Sequence, residues 1–238
     1  MLRAPVAAFA ALAGCGAVAG PELPAGDAGA PAGDAAGDAR GDPGVRMGVD
    51  YSWARPSPRG LRAEGYTFAV RYFSDSTTGK NLTDAEATEL LAAGIDIVAN
   101  WENGASDALA GRARGVSDAE AAARQAAAVG MPADRPIFFA VDFDASADQQ
   151  AAISDYFDGV ASVLGLARTG AYGGFSPIKQ LFDAGKIAYG WQTYAWSAGR
   201  WEPRAQLRQV HNSVVIAGGE CDIDEAHADD FGQWGATP

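Results

Sequence analysis

The clearest indication of the fold is the segment Pro136-Ile-Phe-Phe-Ala-Val-Asp-Phe-Asp144. It is a short aromatic and β-branched run opened by a proline, which is typical of a buried strand. Buried strands of a parallel sheet are almost continuously hydrophobic, yet this one ends in two carboxylates. Alternation along a strand predicts that Asp142 and Asp144 share one face with Phe138 and Ala140. Because α/β folds build their sites at the carboxyl ends of strands, we expect these two acids to be functional.

Strand-like and helix-like segments alternate on both sides of this stretch. Capping boxes at Thr83-Asp-Ala-Glu86 and Ser117-Asp-Ala-Glu120 predict two helix starts, and apolar residues at helical spacing predict a long helix from about Asp148 to Leu166. Eight strands mostly separated by helices predict an α/β fold, a compact single-domain (β/α)8 TIM barrel whose later helices are shortened or lost. The predicted strands are 47–51, 66–73, 95–102, 136–144, 168–174, 187–193, 207–211 and 221–224.

The composition is that of a globular protein with enough apolar material for one core. The chain has 238 residues, is 48% hydrophobic and carries a formal net charge of −12. Phosphate binding needs clusters of Lys and Arg, so we expect no nucleic-acid partner. No apolar run approaches the roughly 18 residues needed to span a bilayer. The two cysteines and two histidines lack zinc-ligand spacing, and Gly170-Ala-Tyr-Gly-Gly174 lacks the Lys-Ser/Thr of a phosphate loop, so we expect neither metal nor cofactor.

The first 44 residues have the character of a leader and a tether. Residues 1–14 combine a charged start with a short apolar stretch, as a secretory signal does. Leu12-Ala13-Gly14-Cys15 resembles the bacterial lipobox, in which the cysteine is lipidated and becomes the first mature residue. Residues 15–44 contain mostly Ala, Gly, Pro and Asp and have too few large apolar side chains to form a core, so they are predicted to be a disordered linker. The alternative is an Ala/Gly-rich start with an accidental cysteine. The folded domain is predicted over residues 45–238.

Six acids lie at predicted carboxyl ends of strands, and a barrel brings those ends together on one face. Clustered carboxylates ringed by aromatic side chains suit a neutral sugar polymer, because the rings stack on sugar C–H faces. An acid pair can protonate a glycosidic oxygen and stabilise the positive transition state. The acids are Asp50, Glu102, Asp142, Asp144, Asp222 and Asp224. The predicted substrate-binding residues on the rim and in its loops are Tyr172, Trp191, Gln192, Trp53 and Trp196.

Some of these residues have simpler interpretations. Asp224 could instead cap the last helix. Arg71, at the end of the second strand, is either a structural counter-ion for the acid cluster or a substrate ligand. Trp101, Trp201 and Trp234 are interpreted as ordinary packing residues.

The chain resembles a bacterial family of glycoside-hydrolase-like domains over essentially residues 45–234. The motifs that carry the resemblance occur in the family's order. They are Gly48-Val-Asp50, Arg71-Tyr72, Trp101-Glu102, Phe139-Ala-Val-Asp-Phe-Asp144, Gly170-Ala-Tyr-Gly173, Trp191-Gln192, Trp196-Ser197, Cys221-Asp-Ile-Asp224 and Asp230-Phe-Gly-Gln-Trp234. The resemblance implies a TIM barrel related to the family 25 glycoside hydrolases, which are lysozymes acting on peptidoglycan.

By position, the resemblance places Asp50, Asp142 and Asp222 at acids of those lysozymes. Asp144 stands where they have the glutamate that acts as general acid, and its carboxyl is set back by one methylene. We therefore expect Glu102 as proton donor, Asp142 as nucleophile or charge stabiliser, and Asp50 and Asp222 as positioning acids. The expected protein is a secreted monomer, lipid-anchored through Cys15 to the outer face of the bacterial membrane, which binds and hydrolyses a cell-wall glycan. The alternatives are a non-catalytic glycan-binding or wall-organising lipoprotein and a purely structural partner of another surface protein.

Overall fold

The computed structural model describes residues 44–235. The predicted signal segment, Cys15 and nearly all of the predicted linker lie outside these residues. No helix between residues 44 and 235 is long and apolar enough to cross a membrane.

Eight strands close into one barrel in chain order, with the last strand paired to the first. The predicted closed eight-stranded α/β barrel is confirmed. The strands are β1 Arg46–Asp50, β2 Phe68–Phe73, β3 Asp96–Trp101, β4 Ile137–Val141, β5 Thr169–Gly173, β6 Tyr189–Thr193, β7 Leu207–Ile216 and β8 Gly219–Ala226.

Five α-helices follow the first five strands, one after each. They are α1 Pro58–Ala63, α2 Asp84–Ala92, α3 Arg112–Ala128, α4 Gln150–Leu164 and α5 Phe175–Asp183. A loop of residues 194–206 joins β6 to β7, and a hairpin joins β7 to β8. We predicted that the later helices are shortened or lost. Between β6 and β8 the loop and the hairpin stand where a regular barrel has helices.

The last strand runs opposite to the direction that a barrel of eight parallel strands requires. β8 pairs antiparallel with both β7 and β1, while the other neighbours pair in parallel. The prediction that Asp222 and Asp224 lie at the carboxyl end of a strand facing the site is therefore wrong. Asp222 pairs with Asp50 at the top of β1, and Asp224 lies two residues deeper, opposite Gly48.

The apolar run 137–141 behaves as expected for a strand buried on both faces. Phe138 and Ala140 point into the barrel, whereas Ile137, Phe139 and Val141 pack against the outer helices. The strand is shorter than predicted and ends at Val141. Asp142 and Asp144 consequently lie in the following loop and do not share a strand face.

One of the two predicted capping boxes marks a helix start. The Thr83 hydroxyl accepts a hydrogen bond from the Glu86 N–H at 3.2 Å and caps α2. The prediction at Ser117 is wrong, because α3 already begins at Arg112 and Ser117 lies inside it. The residues before Ser117 belong to the close contact of α3 with α4: Gly115 lies against the Tyr156 carbonyl and Gly159 against the Arg112 carbonyl, with no room for a Cβ at either glycine.

The segment after β8 closes the base of the barrel, the end opposite the acids. The Phe231 ring packs on Phe68 with centroids 4.8 Å apart, and the Arg46 guanidinium lies over Phe231. Trp234 forms an antiparallel bridge with Ile97 at the start of β3 and is buried, as predicted. This closure leaves the opposite end, here called the barrel mouth, as the place for a site. The mouth comprises the carboxyl ends of β1–β7 and the first half of β8.

Candidate active site

Asp50 is a buried acid at the top of β1, with 3% of its surface exposed. Its Oδ1 accepts a hydrogen bond from the Tyr72 hydroxyl at 2.7 Å, and its Oδ2 accepts one from Gln209 Nε2 at 2.8 Å. Loss of water around the carboxyl, and then the nearby charge of Asp222, raise the pKa of Asp50 to about 7. The two hydrogen bonds oppose that rise.

Asp222 faces Asp50 across the β1–β8 pair, and Gln209 joins them. Gln209 Nε2 lies 3.1 Å from Asp222 Oδ2, and the Ser213 N–H donates to Asp222 Oδ1 at 2.8 Å. Burial raises the pKa of Asp222. Asp224 lies beneath this pair, completely buried, and its Oδ1 accepts a hydrogen bond from the Trp191 indole N–H at 2.8 Å.

Glu102 follows β3 directly and is held by a lysine from the loop after β2. Lys80 Nζ lies 3.1 Å from Glu102 Oε1 and 2.9 Å from the Glu102 carbonyl oxygen. The same ammonium group lies over the rings of Tyr72, at 5.1 Å, and Trp53, at 5.6 Å. Lys80 is nearly buried, so this ion pair is poorly screened by solvent.

Asp142 follows β4 directly and lies close enough to Glu102 for their charges to interact. Its backbone N–H donates to the Ala105 carbonyl at 3.1 Å, which fixes the start of the loop. Burial, and then the charge of Glu102, raise the pKa of Asp142 to about 6, while the Lys80 ammonium lowers it. Asp142 and Glu102 thus form a pair of carboxyl groups in unlike environments.

Asp144 is not brought into this cluster. Its side chain is exposed, and it makes no hydrogen bond or ion pair with any residue between 44 and 235. The structure therefore brings together four of the five predicted catalytic residues, Asp50, Glu102, Asp142 and Asp222.

The predicted aromatic ligands divide into a floor and a rim. Trp191 and Tyr172 are buried inside the barrel with ring centroids 4.3 Å apart, and the Tyr172 hydroxyl donates to Gln209 Oε1 at 3.0 Å. They lie below the acids, so the prediction that these two rings line the rim is wrong. Trp53 and Trp196 are 48% and 39% exposed, on the loops after β1 and β6. Only these two of the four predicted rings are open to a substrate.

Gln192 and Arg71 point away from the mouth. Gln192 donates to the Arg200 carbonyl at 2.8 Å and accepts from the Glu202 N–H at 2.8 Å, so it fastens the loop between β6 and β7. Arg71 forms an ion pair with Glu86 of α2 at 2.7 Å. The expectation that Arg71 is the counter-ion of the acid cluster is therefore wrong, and the cation at the cluster is Lys80.

The Trp196 loop is held in an uncommon backbone conformation. Trp196 has φ of 56°, and Ala198 and Gly199 also have positive φ. The buried Ser197 between them donates to the Thr193 carbonyl at 2.6 Å and accepts from the Phe175 N–H at 3.0 Å. These bonds fix the loop that presents the exposed indole ring.

Three residues of the site were missed from the sequence. Tyr72 alternates with Arg71 on β2, so the pattern alone places it on the inner face and could have found it. Lys80 lies in a loop and Gln209 in β7, and no local motif marks either residue. Between residues 44 and 235, no group of three or more His, Cys, Asp and Glu side chains is arranged to hold a metal ion.

Comparisons with known proteins identify the family and agree with the fold. A Mycobacterium tuberculosis protein named "Putative peptidoglycan hydrolase Rv2525c" is 31% identical over 199 residues, which is 78% of this chain and 82% of that protein. The crystal structure of the M. tuberculosis Tat-secreted protein Rv2525c in complex with L-tartrate superposes with a TM-score of 0.76 at 30% identity, covering 79% of this chain and 98% of that one.

A family 25 glycosyl hydrolase from Bacillus anthracis shares the fold. Its TM-score is 0.52 at 13% identity, and the match covers 78% of this chain and 90% of that one. The family described as "Rv2525c-like, glycoside hydrolase-like domain" matches residues 59–228. With its closed barrel and its acids at the mouth, this chain belongs to the Rv2525c-like family of glycoside hydrolase-like domains.

Proposed function

We propose that this protein is a glycoside hydrolase of the bacterial cell surface that cleaves a cell-wall glycan, peptidoglycan or a related polysaccharide, by carboxylate acid/base chemistry. The observation that carries the proposal is the pair Asp142 and Glu102 at the barrel mouth. One carboxyl has a raised pKa of about 6, and the other is ion-paired with Lys80. Two carboxyl groups whose environments differ in this way can divide the roles of acid and base between them.

The geometry favours Asp142 as the proton donor and Glu102 as the carboxylate, which exchanges the roles expected from the sequence. A donor must hold its proton near the working pH, and the raised pKa lets Asp142 do so. The Lys80 ammonium stabilises a negative charge on Glu102, which suits a base, a nucleophile or a stabiliser of the positive transition state. The proton passes from Asp142 to the glycosidic oxygen as the C–O bond breaks. Water then adds to the anomeric carbon and returns a proton to the site.

Asp50 and Asp222 act as positioning acids below this pair. Gln209 ties them together and is itself held by Tyr172 on the floor. Such a network fixes the carboxyl groups of Asp50 and Asp222 before substrate binds, which lowers the reorganisation that the site needs in the transition state.

Exposed aromatic rings support a neutral sugar polymer as substrate. Trp53 and Trp196 flank the mouth on the β1 and β6 sides, and Tyr194, which was not predicted, is 45% exposed in the same loop as Trp196. Aromatic faces pack against sugar C–H groups without needing charge. The name of the mycobacterial relative as a peptidoglycan hydrolase supports the choice of a cell-wall glycan.

Surface location is part of the proposal. The signal-like residues 1–14 and the lipobox-like Cys15 support export and lipid attachment, and the relative's secretion by the Tat route supports export. Cys15→Ser should move the protein from the detergent-extracted membrane fraction to the medium. Unchanged membrane association of this variant would contradict the anchor.

The test of hydrolysis is release of reducing sugar ends from purified peptidoglycan. Asp142→Asn should lower turnover about a hundredfold or more, since a positioned acid contributes about 10²–10⁴, and Glu102→Gln should lower it to a similar degree. Asp134→Asn and Glu64→Gln, two exposed acids at the other end of the barrel, are the matched controls and should retain activity. If wild type and all variants are equally inert on several glycans, the enzymatic proposal fails.

The second candidate is a non-catalytic glycan-binding or wall-organising lipoprotein. Asp144 favours this candidate. It occupies the sequence position at which the family 25 lysozymes have their general acid, yet its side chain is exposed and lies outside the acid cluster. It predicts that peptidoglycan pull-down persists in Asp142→Asn but is weakened in Trp53→Ala and Trp196→Ala, with no turnover by any form. Turnover by wild type would exclude it.

A further inference from the structure

Three carboxyl groups meet at the barrel mouth and just beneath it without a Lys or Arg partner among the described residues. Asp50 and Asp222 are paired residues of β1 and β8, and Asp224 lies on the same face of β8, opposite Gly48. Between residues 44 and 235, no Lys or Arg side chain forms an ion pair with any of the three. Several buried negative charges at such short range repel one another strongly, so at least one of the groups must hold a proton at neutral pH.

The hydrogen-bond donors around each oxygen indicate which group that is. Both oxygens of Asp50 have a donor, from Tyr72 and Gln209. Both oxygens of Asp222 have one too, from Gln209 and the Ser213 N–H. The Oδ1 of Asp224 accepts from Trp191, but its Oδ2, fully buried, has no donor among the described residues. A bare anionic oxygen in such a place would be very costly.

We propose that Asp224 is a positioning residue that remains protonated at neutral pH and donates its proton, carried on Oδ2, to Asp50. Asp50 then accepts three hydrogen bonds, from Tyr72, Gln209 and Asp224. Because hydrogen bonds donated to a carboxylate stabilise its negative charge, Asp50 is the member of the trio that ionises most readily. The role deepens the proposed function, because it sets the charge of a positioning acid beneath the catalytic pair.

Electrostatics agrees with the donor count. Burial, and then the charge of Asp50, raise the pKa of Asp224 well above its usual range. In the proposed arrangement, the hydrogen bond from Asp224 to Asp50 raises the pKa of Asp224 and lowers that of Asp50. The groups that face Asp224 are Asp50 from β1, Trp191 from β6 and Asp222 from its own strand, with the neutral phenol of Tyr72 beyond Asp50. His211 of β7 lies beside Asp222.

The first test is the pH dependence of stability in Asp224→Asn. The asparagine retains an acceptor for Trp191 and an N–H donor for Asp50, but it does not titrate. Wild-type Asp224 ionises in the unfolded chain above pH about 4 and stays protonated when folded, so wild type loses stability relative to the variant as pH rises. The unfolding equilibrium constant of wild type relative to the variant should grow by up to tenfold per pH unit between pH 5 and 8.

Asp229→Asn, an exposed acid beyond the end of β8, is the matched control and should show no such trend. A trend of opposite sign, with Asp224→Asn progressively less stable than wild type as pH rises, would overturn the proposal. That result would mean that the folded protein holds Asp224 as a stabilised anion.

The second test is the titration of Asp50, followed by 13C NMR of its carboxyl carbon. In wild type and Asp224→Asn the midpoint should lie near 7. In Asp224→Leu, which removes the donor, it should move upward. A downward movement in the leucine variant would show that Asp224 carried a charge and would overturn the proposal. If the leucine variant does not fold, the asparagine variant decides alone. Neither measurement requires turnover, so failure of this role and failure of the hydrolase proposal are distinguishable.

Discussion

Lys80 sets the division of charge at the barrel mouth. Among residues 44–235 it is the cation that touches the mouth acids, and its carbonyl oxygen accepts from Arg71 Nη2 at 3.2 Å, so both ends of the residue are fixed. The ring faces of Trp53 and Tyr72 shield the ammonium group. A partly desolvated ion pair of this kind acts on neighbouring titrations more strongly than an exposed one.

Lys80→Met should raise the pKa of Asp142 above its value of about 6, because the ammonium group lowers it in the wild type. We expect a change of about one pH unit. 13C NMR titration of the Asp142 carboxyl measures it directly, and the alkaline limb of the turnover profile should move the same way. Lys179→Met, which removes an exposed lysine paired with Asp183, is the control. An unmoved or lowered Asp142 midpoint would refute this role of Lys80.

For single residues, the sequence predicted which acids lie at the barrel mouth better than it predicted which partners the polar side chains contact. Asp50, Glu102 and Asp142 each end an apolar run, and that local pattern is enough to place them at the mouth. Arg71 and Gln192 belong to the same motifs but face outward, to Glu86 and to the 194–206 loop. Which partner a polar side chain finds depends on elements distant in sequence, so motif membership alone does not predict it.

At the scale of elements, the contact between α3 and α4 depends on two glycines. Gly115 and Gly159 let the helices approach until backbone meets backbone, and the buried Tyr156 hydroxyl donates to Asp118 at 2.8 Å beside them. The capping-box pattern at Ser117 gave no sign of this contact and predicted a later helix start. Helix packing of this kind depends on space, which a local pattern does not encode.

Gly115→Ala should destabilise the protein by about 3 kcal/mol or more, because the new methyl group meets the Tyr156 carbonyl and the helices must separate. Urea unfolding measures the loss. Gly130→Ala is the comparison: it has open space around it but φ of 73°, so only backbone strain of about 1 kcal/mol is expected. Equal losses in the two variants would argue against close packing as the cause.

The direction of β8 is the element-scale feature that the sequence did not reveal. Cys221-Asp-Ile-Asp224 reads equally well as a parallel or an antiparallel strand, because side chains alternate in both. The short hairpin turn at Ala217 and Gly218, both with positive φ, fixes the antiparallel direction. That direction puts Asp224 inside the barrel, where no helix cap is possible.

At the scale of the whole molecule, stability should fall as pH rises from 5 to 8. Asp50 has an ordinary pKa near 3.8 when unfolded and about 7 when folded, so its contribution is complete below pH about 4 and is lost as pH rises through 7. At about 1.4 kcal/mol per pH unit, and half of that once pH reaches 7, this group alone costs roughly 2 kcal/mol between pH 5 and 7. The net charge of −12 acts in the same direction through self-repulsion.

Thermal unfolding across this pH range checks the prediction. The melting temperature should be highest on the acid side and several degrees lower at pH 8. Asp50→Asn should flatten the pH dependence, whatever its effect at any single pH. A melting temperature that rises steadily from pH 5 to pH 8 would contradict the assignment of raised pKa values to the mouth acids.

The pairing of β1 with β8 has a consequence for how the chain folds. Asp50 meets Gln209 across 159 residues, so the site needs contacts between the two ends of the domain. Pairings so distant in sequence form slowly, since a long loop must be ordered before they contribute. Until β8 is in place, β1 and β7 remain open edges on which another chain could pair. During synthesis from the N-terminus, the Asp50 carboxyl group therefore lacks its partners until the last two strands have been made. The site is completed in the same step that closes the barrel.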